Sequence, residues 1–268
     1  MSAIQKDAAS GLEFIAVGET KNPKHVLVVL HGTGDNCKGM ESLGEAFAGS
    51  IDDTLVLIPN GPVPLSALIP PEQLEATKQA NPGMDLDQGR NWTGVSKTLA
   101  VDEESMARAV DEIMVPVVNS INTLIDGQLK KYGLADKDLV IYGFSAGGTM
   151  ALHSSIARDT ACAGVISHSG HFMGANEAFS KPKILMLVGD QEMANSQAEM
   201  MISVSAEVLA EDFGLSVETH VCKDLGHGVN QESFDKACDF TEKSLGIAKN
   251  VPVKKPARKK GPKPPKAA

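Results

Sequence analysis

Aromatic side chains are scarce. Of 268 residues only 4% are aromatic, with one Trp and two Tyr. Without such stacking platforms the body of the chain is poorly suited to single-stranded nucleic acid. Basic charge is also scarce, except in one place. Seven of the 25 basic residues lie after Val251 (Lys254, Lys255, Arg258, Lys259, Lys260, Lys263 and Lys266), leaving 18 against 34 acidic residues and a body charge of −16. An acidic body does not attract phosphate backbones, so no specific nucleic-acid partner is expected. The four cysteines, Cys37, Cys162, Cys222 and Cys238, contain no CxxC pair. That argues against a zinc or redox motif and fits reduced thiols. The opening MSAIQKDAAS lacks a basic segment followed by an apolar one, and no apolar run approaches bilayer length. Neither a signal peptide nor a transmembrane segment is expected, which points to a cytoplasmic protein.

What is present is an ordinary globular balance, 42% hydrophobic and 22% charged. Short runs rich in Val, Ile and Leu recur at His25–Leu30, Thr54–Ile58, Asp138–Tyr142, Ala163–Ser167, Lys183–Val188 and Ser216–Cys222. Such runs suit strands buried on both faces of a parallel sheet. Helical patterns lie between them. From Asp102 to about Lys131 an apolar stripe runs through Met106, Val110, Ile113, Val117, Ile121, Leu124 and Ile125, with Pro116 predicting a kink or break. Ser196 with Glu199 fits a capping box, followed by Met200, Val204 and Val208 at helical spacing. The alternation predicts a doubly wound α/β fold, a mostly parallel sheet with helices on both faces. Residues 1–250 form its one domain. Within it, residues 59–99 are proline-rich, with a weak helix around Glu72–Lys78, and read as an irregular lid or pocket wall. Residues 251–268 read as a basic, disordered tail of unknown partner.

Three stretches carry chemistry. In Asp138-Leu-Val-Ile-Tyr-Gly-Phe-Ser145-Ala-Gly-Gly148 a buried strand enters a G-x-S-x-G turn. This is the nucleophile elbow: a serine on a sharp strand-to-helix turn, with a helix N-terminus behind it that favours developing negative charge. In Val26-Leu-Val-Val-Leu-His31-Gly-Thr33-Gly-Asp35 a strand ends in a Gly-rich loop. Such a loop supplies one oxyanion N–H and the residue after the nucleophile the other, here the backbones of Thr33 and Ala146. His31, beside that loop, reads as structural. In Asp224-Leu-Gly226-His227-Gly-Val229 a histidine follows the last strand, placed to act as general base. His25, His153 and His220 fall inside elements, and His168 and His171 precede the expected acid in the chain. Two carboxylates, Asp190 and Glu192, occupy the loop after strand Lys183–Val188, and both satisfy the order nucleophile, acid, base.

These motifs together with Pro59-Asn60-Gly61 and Gly89-Arg90-Asn91-Trp92 resemble the phospholipase/carboxylesterase branch of the α/β-hydrolases, which includes acyl-protein thioesterases and small bacterial carboxylesterases. The resemblance covers nearly all of the chain before the basic tail. It implies an α/β-hydrolase fold and a serine hydrolase of carboxylic esters or thioesters. Ser145 would be nucleophile, His227 base, Thr33 and Ala146 the oxyanion hole, and Trp92 a substrate contact. No metal or organic cofactor is implied. The partner is a small-molecule ester or thioester, and a homodimer is compatible. Departures are Thr33 for the family's usual Leu, Ala146 for Gln, and Val188-Gly-Asp-Gln-Glu192 where the acid loop commonly reads His-Gly-x-x-Asp. The aspartate position is thus held by Glu192, with Asp190 as the alternative acid. A dienelactone-hydrolase-like enzyme, which typically uses cysteine, and a non-catalytic binding protein on the same fold are the competing functions.

Overall fold

The computed structural model describes residues 2–80, 85–94, 110–175, 177–194 and 196–247. Ten strands are present among them: β1 Gln5–Lys6, β2 Glu13–Gly18, β3 His25–Leu30, β4 Thr54–Pro59, β5 Val63–Pro64, β6 Arg90–Asn91, β7 Leu139–Phe144, β8 Gly164–His168, β9 Lys183–Gly189 and β10 Ser216–Cys222. Eight of them form one sheet in the order β1-β2-β4-β3-β7-β8-β9-β10. From β4 to β10 every pairing is parallel, and β1 and β2 add an antiparallel edge. The described α-helices are α1 Glu41–Ser50, α2 Pro71–Ala80, α3 Val115–Tyr132, α4 Ala146–Ile156, α5 Ser196–Glu211 and α6 Gln231–Leu245, besides a single turn Asp190–Met193.

The layers follow from the two-residue period of a strand. On β3, Val26, Val28 and Leu30 join one core with Ile121, Leu124 and Ile125 of α3 and Met150 and Leu152 of α4. Leu27 and Val29 join the opposite core with Phe47 of α1 and Ala237 and Cys238 of α6. All five of these β3 side chains are fully buried, each worth roughly 1.5–3 kcal/mol. Burial on both faces is why these strands read as unbroken apolar runs rather than alternating ones.

Three expectations change in detail. A π-helical turn Val110–Met114 runs directly into regular α-helix at Val115, so the irregularity expected at Pro116 takes the form of a change of helix type just before it. The part of the predicted helix before Val110 lies outside the described residues, as does the tail from Val251. On α5, Met200 and Val204 are exposed, whereas Ile202, Ser205 and Leu209 face inward. A buried polar residue disguised the face: the Ser205 hydroxyl accepts the Phe172 N–H at 2.8 Å. The proline-rich stretch contains α2, which buries no residue, and the small β5–β6 ribbon. No helix among the described residues is long and apolar enough to cross a membrane.

Candidate active site

The elbow is built by close backbone packing. β7 ends at Phe144 and α4 begins at Ala146, leaving Ser145 between them at φ 54° and ψ −121°. A non-glycine residue held there stores roughly 1–3 kcal/mol of strain. Its surroundings over-determine it. The Ser145 N–H donates to the His168 carbonyl at 2.7 Å, and the Ser145 carbonyl accepts Gly148 N–H at 2.8 Å. The flanking glycines leave no alternative: a Cβ on Gly143 would lie 2.0 Å from the Gly147 carbonyl oxygen, and one on Gly147 would lie 2.2 Å from that of Leu30. The spacing of the motif is therefore a record of three backbones in contact.

Two further loops meet the serine. His227, in the loop between β10 and α6, places Nε2 3.0 Å from Ser145 Oγ and Nδ1 2.8 Å from Glu192 Oε1. With Nδ1–H directed at a carboxylate, Nε2 is left to accept the serine proton. Glu192 stands on the single turn after β9, and its other oxygen accepts the Ser169 hydroxyl at 2.6 Å. Asp190 does something different. Its two carboxylate oxygens accept the N–H groups of Asp224 at 3.0 Å and Leu225 at 3.1 Å, while the Gln191 N–H donates to the Leu225 carbonyl at 3.0 Å. The Asp224 N–H, aided by those of Leu225 and Gln191, holds the Asp190 carboxyl below its ordinary pKa against a smaller opposing desolvation. One carboxylate of this turn faces the imidazole, and the other fixes the loop that carries it. At the far end of that loop Asn230 caps α6, its side chain accepting Ser233 N–H at 2.9 Å.

The Gly-rich loop after β3 closes the third side. An added Cβ on Gly32 would stand 3.4 Å from the Ser145 Cβ. His31 is fully buried; burial pushes its pKa down to about 4, so the ring is neutral at pH 7. Its Nδ1–H donates to the Gly32 carbonyl at 2.7 Å and its Nε2 accepts the Gly61 N–H at 2.9 Å. Trp92 stacks on this ring, centroids 4.8 Å apart, and its Nε1–H donates to the His31 carbonyl at 2.8 Å. Trp92 was expected to touch substrate. At 1% exposure, with its one polar atom committed, it instead braces the loop from inside. Gly34 and Asp35 pair through backbone bonds with Arg90, both at 2.9 Å. Thr33 turns its hydroxyl to Asn91 Oδ1 at 3.2 Å. The backbone N–H groups of Thr33 and Ala146 have no acceptor among the described residues.

The structure thus brings Ser145, His227 and Glu192 into one hydrogen-bonded chain, with the Thr33 loop beside it. All four positions follow the carboxyl ends of parallel strands, where ligands bind in open α/β sheets. The imidazoles of His168 and His153 are committed to other partners. His168 Nδ1 pairs with the Tyr142 hydroxyl at 3.0 Å and His153 Nε2 accepts the Met173 N–H at 3.2 Å. Burial lowers their pKa values to about 4 and about 3. Ser169 escaped sequence reading. It adopts φ 55° after β8, and only the adjoining Ser-Gly pair hints at a special turn.

A parallel sheet with a strained serine elbow defines an α/β-hydrolase. Residues 84–245 match the model of the phospholipase/carboxylesterase family, and the chain belongs to it. It is 25% identical to the esterase YpfH of Escherichia coli K12 over 84% of this chain and 85% of that protein. It is likewise 25% identical to acyl-protein thioesterase 1 of Neurospora crassa, over 82% of this chain and 86% of that one. Among solved structures, a carboxylesterase from Mesorhizobium loti superposes with a TM-score of 0.66 at 12% identity, covering 89% of this chain and 97% of that chain. That likeness speaks for the fold. Membership in this family makes the chain a hydrolase of the carboxylesterase and thioesterase type.

Proposed function

We propose that this protein hydrolyses carboxylic esters or thioesters through an acyl-enzyme on Ser145. The observation that carries the reading is the Glu192–His227–Ser145 chain, with heavy-atom separations of 2.8 and 3.0 Å. As Ser145 Oγ attacks the acyl carbonyl carbon, its proton passes to His227 Nε2. The carbonyl oxygen becomes an oxyanion facing the N–H groups of Thr33 and Ala146, at the start of α4, where the helix dipole also favours negative charge. Glu192 holds the imidazolium through Nδ1–H. The tetrahedral adduct collapses, the leaving alkoxide or thiolate takes the proton from Nε2, and the acyl group stays on Ser145. Water then attacks the acyl-enzyme with His227 again as base, releasing the acid and restoring Ser145. The names of the two relatives, an esterase and an acyl-protein thioesterase, support the two leaving-group classes. His227 is half exposed, so substrate reaches the triad without unpacking the core. The domain assignment, residues 1–250 as the hydrolase, belongs to the same reading, as does a cytoplasmic location, which the four unpaired thiols support.

The test is labelling by a fluorophosphonate probe together with rates on aryl esters of increasing chain length and an acyl thioester. Wild type is expected to be labelled and active. Ser145→Ala is expected to lose labelling and several orders of magnitude in kcat while keeping its circular dichroism. Turnover retained in Ser145→Ala would end this assignment.

A further inference from the structure

The last strand of the sheet carries a second constellation, at the base of the loop that presents His227. His220 and Cys222 stand two residues apart on β10 and therefore share one side of it. Glu232, in the first turn of α6, comes down on that side. His220 Nε2 is 2.8 Å from Glu232 Oε1, and with the Cys222 sulfur the three candidate ligand atoms all lie within 4.8 Å of one another. Side-chain exposure is 26% for His220 and 39% for Glu232, whereas Cys222 is fully buried. The group is therefore open on its nitrogen and oxygen side and closed behind its sulfur. The mechanism above uses none of these three residues.

We propose that His220, Cys222 and Glu232 form a binding site for one zinc-like divalent cation, which ties together the two ends of the His227 loop. The donor set selects the ion. One imidazole, one thiolate and one carboxylate suit a borderline-soft tetrahedral ion such as Zn²⁺, whereas Mg²⁺ and Ca²⁺ want oxygen alone. Three protein ligands leave the fourth position to water, on the exposed side. Neutral His220 binds through Nε2, and the Cys222 thiol gives its proton to solvent as the sulfur–metal bond forms. Tetrahedral ligands on bonds of ~2.1 Å stand roughly 3.4 Å apart, so the ion replaces the His220–Glu232 hydrogen bond and spreads the pair slightly. Lys236 lies close enough to Cys222 and Glu232 to oppose the cation, and Asp190 to favour it at Cys222.

The placement gives the ion a consequence. Glu232 Oε2 already accepts the Lys223 N–H at 3.0 Å, and the Asn230 side chain donates to the Lys223 carbonyl at 3.4 Å. Lys223 begins the loop and Asn230 ends it. An ion held by β10 on one side and α6 on the other would staple that closure, and folded protein would be stabilised by mass action. Binding itself stands apart from the catalytic reading, since none of its ligands belongs to the triad.

The test uses the full chain, treated with chelator and kept reduced. Titration with Co²⁺ is expected to raise a sulfur-to-cobalt charge-transfer band and the visible bands of a tetrahedral ion, both bleached by one equivalent of Zn²⁺. Cys222→Ser should abolish the charge-transfer band. His220→Gln and Glu232→Gln should each weaken Co²⁺ binding at least about tenfold, and the rise in Tm with Zn²⁺ should be lost in His220→Gln. No charge-transfer band in wild type overturns the site. So does a band that survives in Cys222→Ser, which would place the sulfur at Cys37, Cys162 or Cys238. Should Cys222→Ser fail to fold, the two partly exposed substitutions decide, and unchanged affinity in both rejects the proposal.

Discussion

At the scale of the residue, two carboxylates two positions apart divide the labour. Glu192 contacts the imidazole, whereas Asp190 spends both oxygens on the backbone of the His227 loop. Their neutral isosteres should therefore fail differently. Glu192→Gln leaves the ring without an acceptor for Nδ1–H and is expected to lower kcat by up to ~10⁴-fold. Asp190→Asn keeps one acceptor oxygen but turns an NH₂ toward a backbone N–H, which loosens the loop and should cost about tenfold, one lost hydrogen bond to a charged group. Rates on one small ester, with circular dichroism on both variants, separate the two. The reverse order would make Asp190 the catalytic acid. The pH dependence of the anchor has a definite sign. Because the folded state lowers the Asp190 pKa, its contribution to loop order is present above the ordinary aspartate range and is lost as pH falls through the lowered value. Ser169, whose hydroxyl holds Glu192 from the other side, explains how a longer acid is kept in one rotamer.

At the scale of the element, the site depends on how closely three segments approach. The N-terminus of α4 sits against the end of β3, with a would-be Gly147 Cβ 2.2 Å from the Leu30 carbonyl oxygen. Backbone cannot yield as a flexible side chain can. Gly147→Ala is expected to cost about 3 kcal/mol in urea unfolding and to reduce ester turnover further by displacing Ser145. An unchanged unfolding midpoint would contradict that packing. A second junction is polar. Arg158, 7% exposed just beyond α4, donates to Asp136 Oδ1 at 2.5 Å, Asp126 Oδ1 at 2.6 Å and Asn122 Oδ1 at 3.2 Å. It thereby ties α4 to α3 and to the turn before β7. Because Asp126 is largely exposed, the loss in Arg158→Met is set at roughly 2 kcal/mol, read as a lower Tm with little change in KM.

At the scale of the molecule, the last of the described helices around the sheet is α6. α6 closes at Leu245 with Gly246 left-handed at φ 69°, and the Gly246 and Ile247 N–H groups return to the carbonyls of Lys243 and Glu242. The family match ends at the same place, residue 245. Removal of residues from Val251 onward is therefore expected to leave kcat on a small ester nearly unchanged, and unfolding cooperative. A large fall in turnover would show that the basic segment contributes to the site. The acidic body carries −16 and the segment +7, so any effect of truncation on anionic partners should fade with added salt.

Much of this was legible in the linear chain, for reasons of period and local chemistry. Doubly buried strands announce themselves as apolar runs, and β3, β7 and β9 were placed to within a residue or two because nothing local competes with that signal. The elbow was equally plain, since strand, G-x-S-x-G turn and helix are consecutive in the chain, although the distant Leu30 carbonyl is what demands glycine at position 147. What the chain could not reveal were choices made by residues distant in sequence. β1 is only two residues long, and β2 pairs antiparallel with β4 some forty residues on. The inward face of α5 was settled by the Phe172 N–H, which makes Ser205 an interior residue. Trp92 carried a family motif, yet only packing against His31 shows that it supports the loop rather than facing substrate. Asp190 and Glu192 are equivalent in composition and loop position. The roles separated only when the β10–α6 loop folded back over β9 and put backbone N–H groups against one carboxylate and an imidazole against the other. Hydrogen-bond partners across 30 residues or more are set by tertiary approach, and no local pattern records them.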